Sequence, residues 1–244
     1  MSAEPATLNP GGKSGAETRE MFARVARRYD LLNHLLSLGL DIRWRKLAAR
    51  EARGLGEGDL IADLCAGTGD LALAMHDAAP QAWVLATDFT PEMASLGLEK
   101  IARKKIANVS FALADALALP LRDESAALAC VAFGIRNVVS LRSGLQEMIR
   151  VVRPGGKVVV LEFTRPTGWF FGPLYMFYFR RILPLLGRVI AKTAGDAYRY
   201  LPQSVQAFAG PEEMSALMRE LGLRDIRAVS LSFGAVHLYV GIKC

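Results

Sequence analysis

Asp63-Leu-Cys-Ala-Gly-Thr-Gly-Asp70, followed by Asp88 at the end of the next apolar run, is the stretch whose reading decides the fold. Ile61 to Leu64 reads as a buried strand, Gly67 and Gly69 as a tight turn, and Asp70-Leu-Ala-Leu-Ala-Met75 as the opening of a helix. Glycines here let a ligand approach the backbone, where a side chain would block it. An acidic residue after the second strand can accept hydrogen bonds from both hydroxyls of a ribose. A nucleoside cofactor is expected on this unit.

Two cofactors fit that geometry. Gly67-Thr-Gly69-Asp-Leu-Ala72 matches the dinucleotide pattern G-x-G-x-x-[G/A], with Asp88 about twenty residues on. It equally matches the S-adenosylmethionine (SAM) site of methyltransferases, in which an acidic residue at the strand end, here Asp63, precedes the glycines. The motif alone leaves both open.

Outward from this stretch, strands are predicted near 60–65, 83–88, 108–113, 127–132 and 157–163, with helices near 70–78, 91–104 and 143–152. Alternation of this kind argues for a parallel sheet covered on both faces. Arg153-Pro-Gly-Gly156 reads as a turn into the last of these strands. Upstream, Phe22, Val25, Tyr29, Leu32 and Leu36 recur at helical spacing, so residues 19–53 form a helical cap. Residues 1–18 read as a disordered polar tail, and 19–244 as a single domain. Downstream, 165–206 carries no clear strand and is a candidate lid or substrate wall. A helix from Pro211 and two antiparallel strands at 223–231 and 235–242 close the chain. That ending suits a SAM methyltransferase better than a dehydrogenase.

Composition narrows the classes. The chain has 244 residues, is 52% hydrophobic and can bury a full core. Its longest apolar run, Trp169 to Phe179, is too short to span a membrane. Cys65, Cys130 and Cys244 lack metal-ligand spacing; Cys65 and Cys130 read as buried strand thiols, which implies a reducing, cytoplasmic setting. His34, beside Leu32, Leu35 and Leu36, reads as a helix surface position, His76 and His237 have no companion motif, and no metal site is expected. The net charge of +6 includes a basic stretch from Arg19 to Arg53 and a second cluster at Lys100, Arg103, Lys104 and Lys105. Solvated helix faces come first as an explanation, anionic lipid second and nucleic acid last, since no nucleic-acid module is present.

In a doubly wound sheet the ligand lies beyond the carboxyl ends of the strands. After the third strand comes Ala114-Asp115-Ala116, whose carboxylate can accept from an adenine amino group. After the fourth comes Phe133-Gly-Ile-Arg-Asn137. Here the chain resembles, from about residue 20 onward, the ubiquinone/menaquinone biosynthesis C-methyltransferases. The resemblance rests on Val25-Ala-Arg-Arg-Tyr-Asp-Leu-Leu-Asn33 with Trp44-Arg-Lys46, on the glycine motif, and on Phe133-Gly-Ile-Arg-Asn-Val138. Arg153-Pro-Gly-Gly156 with Leu161-Glu-Phe163, and Tyr198-Arg-Tyr-Leu-Pro202, complete it.

The resemblance implies an α/β, Rossmann-like class I methyltransferase fold. Its mostly parallel seven-stranded sheet would have an antiparallel C-terminal strand and helices on both faces. It implies methyl transfer from SAM to a ring carbon of a prenylated quinol. Demethylmenaquinol is preferred because Leu174 to Gly187 looks like the menaquinone branch; a benzoquinol of ubiquinone synthesis is the other option. Cofactor contacts map to Asp63, Gly67, Thr68, Gly69, Asp88, Asp115, Ala116 and Ala132. Two positions depart from the family, which often has Asn at 115 and in some members Ser at 132. Arg136 is assigned to stabilise a phenolate or orient water, because a guanidinium with pKa above about 12 is a poor base. Tyr29 assists by analogy, as does Asp88, and Asn137 holds a quinol oxygen. An insoluble prenyl tail implies peripheral membrane contact, for which Trp169 to Arg188 is the candidate. The oligomeric state stays open, with a homodimer as one option. A nicotinamide-dependent oxidoreductase, a nucleic-acid methyltransferase and a SAM-binding assembly subunit are the competing readings.

Overall fold

The computed structural model describes residue 9 and residues 11–165 and 195–244. A seven-stranded sheet of order β3-β2-β1-β4-β5-β7-β6 runs through it. The strands are β1 (Leu60–Leu64), β2 (Trp83–Asp88), β3 (Val109–Leu113), β4 (Ala126–Ala132), β5 (Val152–Phe163), β6 (Leu223–Leu231) and β7 (Val236–Lys243). The pairs β3–β2, β2–β1, β1–β4 and β4–β5 are parallel, and β7 runs antiparallel to both its neighbours. The helices are α1 (Gly15–Leu36), α2 (Leu40–Ala49), α3 (Asp70–Ala78), α4 (Pro91–Lys104), α5 (Leu141–Val151), α6 (Gly195–Ala207) and α7 (Pro211–Glu220).

Side-chain alternation along the strands sorts the core onto two faces. Ile61, Leu128, Cys130 and Val159 pack with Trp44, Leu71 and Met75 under α2 and α3. Ala62, Leu64, Val131 and Val160 pack with Leu145, Met148, Met214 and Met218 under α5 and α7. Leu128 and Val159 are fully buried, each contributing about 1.5–3 kcal/mol by leaving water. With both faces covered, the central strands read as continuous apolar runs.

Three expectations are corrected at their edges. Strand β5 begins at Val152: Ala126 pairs with Val152 and Leu128 with Lys157, so 153–156 bulge out within the strand rather than preceding it. Cys65 is not in a strand but follows β1 at φ +49. Order also begins before residue 19. Ser14 caps α1 through a reciprocal box, its Oγ accepting from the Glu17 amide and the Glu17 carboxylate accepting from the Ser14 amide at 2.8 Å. Asn9, placed by sequence in the tail, is buried. Of the proposed lid, only residue 165 and the part within α6 are described, and the candidate membrane segment 169–188 lies outside the described residues. Among the described residues no helix is long and apolar enough to cross a membrane.

Candidate active site

Strand order reverses between β1 and β4, and a cleft opens beyond the carboxyl ends there, as the connection rules of such sheets dictate. It holds about 800 Å³ of empty space, part of it open to solvent. Cys65 and Gly67 line it after β1, Asp88 and Phe89 after β2, Ala114 to Leu117 after β3, and Phe133, Gly134 and Asn137 after β4. Phe22 and Tyr29 of α1 cover it.

The glycine turn is shaped from below and from beside. Gly69 stands at φ +83 as the cap of α3, and a Cβ there would lie 2.8 Å from the Phe111 ring. Gly134 brings the loops after β1 and β4 together, since its Cβ would meet that of Cys65 at 2.4 Å. Above Gly67 a Cβ would find only the Tyr29 ring at 3.6 Å, so the cradle stays open on that side.

Asp88 ties β2 to the turn. Its Oδ2 accepts from the Gly67 amide and its Oδ1 from the Thr90 amide, both at 2.8 Å. Burial raises its pKa against the pull of these amides. The carboxylate lines the cleft and keeps lone pairs beyond those the two amides use. Asp115 likewise lines it, its Oδ1 accepting from the Leu117 amide at 2.9 Å.

Other expected contacts sit elsewhere. Asp63 is fully buried within β1 and does not line the cleft; burial pushes its pKa up to about 8, and its Oδ2 has no partner. The Thr68 hydroxyl donates to Asp30 at 2.5 Å and accepts from Lys100 at 2.9 Å, so it faces α1 and α4. Ala132 ends β4 and packs against the apolar core rather than the cleft. Of the predicted cofactor set, Gly67, Asp88, Asp115 and Ala116 come together on the cleft wall.

Arg136 lies behind that wall. Its Nη1 meets Glu162 Oε1 at 2.6 Å and also donates to the Phe133 carbonyl, and its plane sits 5.5 Å over the Phe163 ring. Burial works against its charge, but Glu162 beside it, with Tyr29 and Tyr200 nearby, holds it above the usual range. Glu162 is raised by its own burial, which the Arg136 charge opposes. Arg136 Nε is buried without a partner. Tyr29 and Asn137 line the cleft itself, the phenol raised by burial and lowered by Arg136.

Sequence reasoning missed four contributors. Lys100, read as part of a solvated cluster, bridges Asp30 of α1 and Asp70 of α3 at 2.6 Å each and so straps the N-terminal helix to the glycine turn. Glu162 hid in an apolar strand, and Asn9 in apparent tail. Tyr200, quoted only within the Tyr198–Pro202 segment of the resemblance, donates to Asn137 at 2.9 Å. His34, Asp41 and Asp70 approach one another, but Arg45 already occupies Asp41 and Lys100 occupies Asp70.

The family model of the ubiE/COQ5 methyltransferases matches residues 12–243. The chain belongs to the ubiE/COQ5 methyltransferase family. It is 42% identical over 229 residues to a protein of Deinococcus radiodurans named demethylmenaquinone methyltransferase, covering 94% of this chain and 93% of that one. It is 40% identical over 233 residues to a ubiquinone/menaquinone biosynthesis C-methyltransferase of Geobacter sulfurreducens, covering 95% and 90%. A SAM-dependent methyltransferase structure from Thermotoga maritima shares the fold with TM-score 0.60 at 22% identity, over 93% of this chain and 100% of that one. The expected Rossmann-like methyltransferase fold is therefore correct. This ubiE/COQ5 enzyme is a methyltransferase and its cofactor is SAM. The residues present fit that group: an open glycine cradle at Gly67, and the Asp88 and Asp115 carboxylates on one cleft wall.

Proposed function

We propose that this enzyme methylates a ring carbon of a prenylated quinol in respiratory quinone biosynthesis, with demethylmenaquinol as the preferred substrate. A benzoquinol of ubiquinone synthesis is the second ring type. The observation that carries this reading is the pairing, in one cleft, of the Gly67–Asp88 cradle with Asn137 and Tyr29. The names of the Deinococcus and Geobacter relatives support the substrate class.

SAM supplies a methyl group carried on a sulfonium. The chain's own residues must then do three things: bind the nucleoside, hold an electron-rich ring, and favour loss of its phenolic proton. Gly67, Asp88, Asp115 and Ala116 bind, Asp88 through the ribose hydroxyls and Asp115 through the adenine amine. Phe22 and Tyr29 cover the cleft against water, which strengthens every charge interaction inside it. Alignment of ring and methyl supplies much of the rate by removing the entropy of their meeting.

A ring carbon becomes nucleophilic when the neighbouring oxygen has given its proton to water and become a phenolate, so the quinol and not the quinone reacts; once the carbon has taken the methyl, its ring proton leaves to solvent and the ring is aromatic again. Asn137 on the cleft wall offers an N–H to that oxygen. Arg136 is already paired with Glu162 and lies behind the cleft wall, so it is no base; its positive charge favours a phenolate held in the cleft. Tyr29 assists from above.

A prenyl tail brings the enzyme to a membrane surface, and a cytoplasmic, peripherally bound protein follows. Exposed Arg24, Arg27 and Arg28 on α1 support attraction to anionic lipid. Pull-down by anionic vesicles at low salt tests this, and no binding at any lipid composition refutes it. A homodimer is the association to look for by sedimentation. The substrate is tested by incubating methyl-labelled SAM with both demethylated quinols and locating the label by mass spectrometry. A labelled ring carbon is expected; label on neither quinol overturns the reading.

A further inference from the structure

Asn9 lies ahead of the first helix, yet only 4% of it is exposed. Its Nδ2 is within hydrogen-bond reach of Tyr200 Oη at 2.8 Å, Thr18 Oγ1 at 3.0 Å and the Asn137 carbonyl at 3.0 Å. Its Oδ1 accepts from the amides of Gly11 at 3.0 Å and Lys13 at 3.1 Å. The two acceptances fix which end of the Asn9 carboxamide carries the protons. Gly11 comes close to the Tyr200 ring: a Cβ there would fall 2.2 Å from its Cε2.

A hydroxyl has one proton to give. Tyr200 Oη accepts from Asn9, so its proton goes to Asn137 Oδ1 at 2.9 Å. With Oδ1 held by Tyr200, the Asn137 Nδ2 is the end left for the cleft, apart from a long 3.4 Å contact with the Phe133 carbonyl. Burial raises the Tyr200 phenol to about 12, so it remains a donor across the working pH range.

We propose that Asn9 and Tyr200 are positioning residues. Their chain of hydrogen bonds sets the polarity of Asn137, so that this carboxamide presents N–H and not C=O to a negatively charged ring oxygen of the substrate. The inference rests on the quinol reading above and deepens it. A strap from the N-terminus, a turn after β4 and helix α6 thus meet at one point, and the donor in the cleft is correct only when all three are in place. An inverted Asn137 would direct a carbonyl at a phenolate and repel it.

The test uses the full chain with Tyr200→Phe and, separately, Asn9→Asp. The first deletes the proton given to Asn137. The second keeps an acceptor for Gly11 and Lys13 but turns the other end into a carboxylate, which draws the Tyr200 proton away from Asn137. Quinol turnover against pH, SAM affinity and thermal midpoint are measured for each. Both variants are expected to lower kcat by about tenfold or more while SAM affinity stays within about twofold. Loss of a donor to the phenolate raises the phenol's pKa, so the acidic limb of the kcat profile moves to higher pH in both. A folded variant with unchanged kcat, or with reduced kcat and an unmoved limb, overturns the proposal. If Tyr200→Phe does not fold, Asn9→Asp decides alone by the same limb. A wild-type protein that methylates neither quinol takes down the function and this inference together, whereas wild-type turnover with unmoved variants removes this inference only.

Discussion

Arg136 Nη1 and Glu162 Oε1 stand 2.6 Å apart with both side chains nearly or fully buried, one on the turn after β4 and the other near the end of β5. The same Glu162 oxygen accepts from the Phe163 amide at 2.8 Å, so the pair also ties the turn to the sheet. Removing one partner leaves a charge in an apolar setting. Glu162→Gln is expected to cost about 3 kcal/mol in denaturant unfolding, while the double change Arg136→Met with Glu162→Leu restores much of it. Turnover is expected to be lost in both. A double variant that is stable and fully active would show that Arg136 has no part in the reaction.

Asp63 gives a pH signature. Its folded pKa is about 8 against an ordinary 3.8, because burial disfavours the charged form. Between those values the unfolded chain has lost the proton and the native state still holds it, so stability falls as pH rises. The slope from this group is about 1.4 kcal/mol per pH unit. Asp63→Asn is expected to remove that slope, flattening the thermal midpoint between pH 4 and pH 8. An unchanged slope would mean that Asp63 is ionised in the native protein.

For Asp88, both oxygens already accept from backbone amides. Asp88→Asn turns one oxygen into a donor facing another donor, and it removes the charge that accepts ribose hydroxyls. SAM affinity by calorimetry is expected to drop by about tenfold to a hundredfold. Unaltered affinity would place the ribose elsewhere.

Lys100 joins Asp30 and Asp70, with the Thr68 hydroxyl between them. Lys100→Met leaves two carboxylates facing each other across the gap between α1 and the glycine turn. Faster hydrogen exchange in α1 is expected, with SAM affinity weakened about threefold to tenfold and the effect smaller at high salt. Wild-type exchange rates in α1 would show that apolar packing alone holds the helix.

What was legible in the sequence was whatever local chemistry dictates. The strand ending at Leu64, the turn at Gly67 and Gly69, the helix from Asp70 and the acid at Asp88 follow from periodicity and from backbone needs within a few residues. The antiparallel ending was legible for the same reason. Asn9 was not, because its partners Asn137 and Tyr200 lie 128 and 191 positions away and its polar neighbours look like tail. Arg136 was singled out as a residue, but its direction was not, since nothing near it in sequence announces Glu162. The bulge at 153–156 was read as a turn because Pro and two glycines mark either equally well.

The most direct test is a crystal structure of the enzyme with S-adenosylhomocysteine and a demethylated quinol together. The expected result has the ribose on Asp88, the ring's reacting carbon facing the sulfur, and a ring oxygen within hydrogen-bond reach of Asn137 Nδ2. A ring bound outside the cleft, or one whose oxygen meets Asn137 Oδ1 instead, would contradict it.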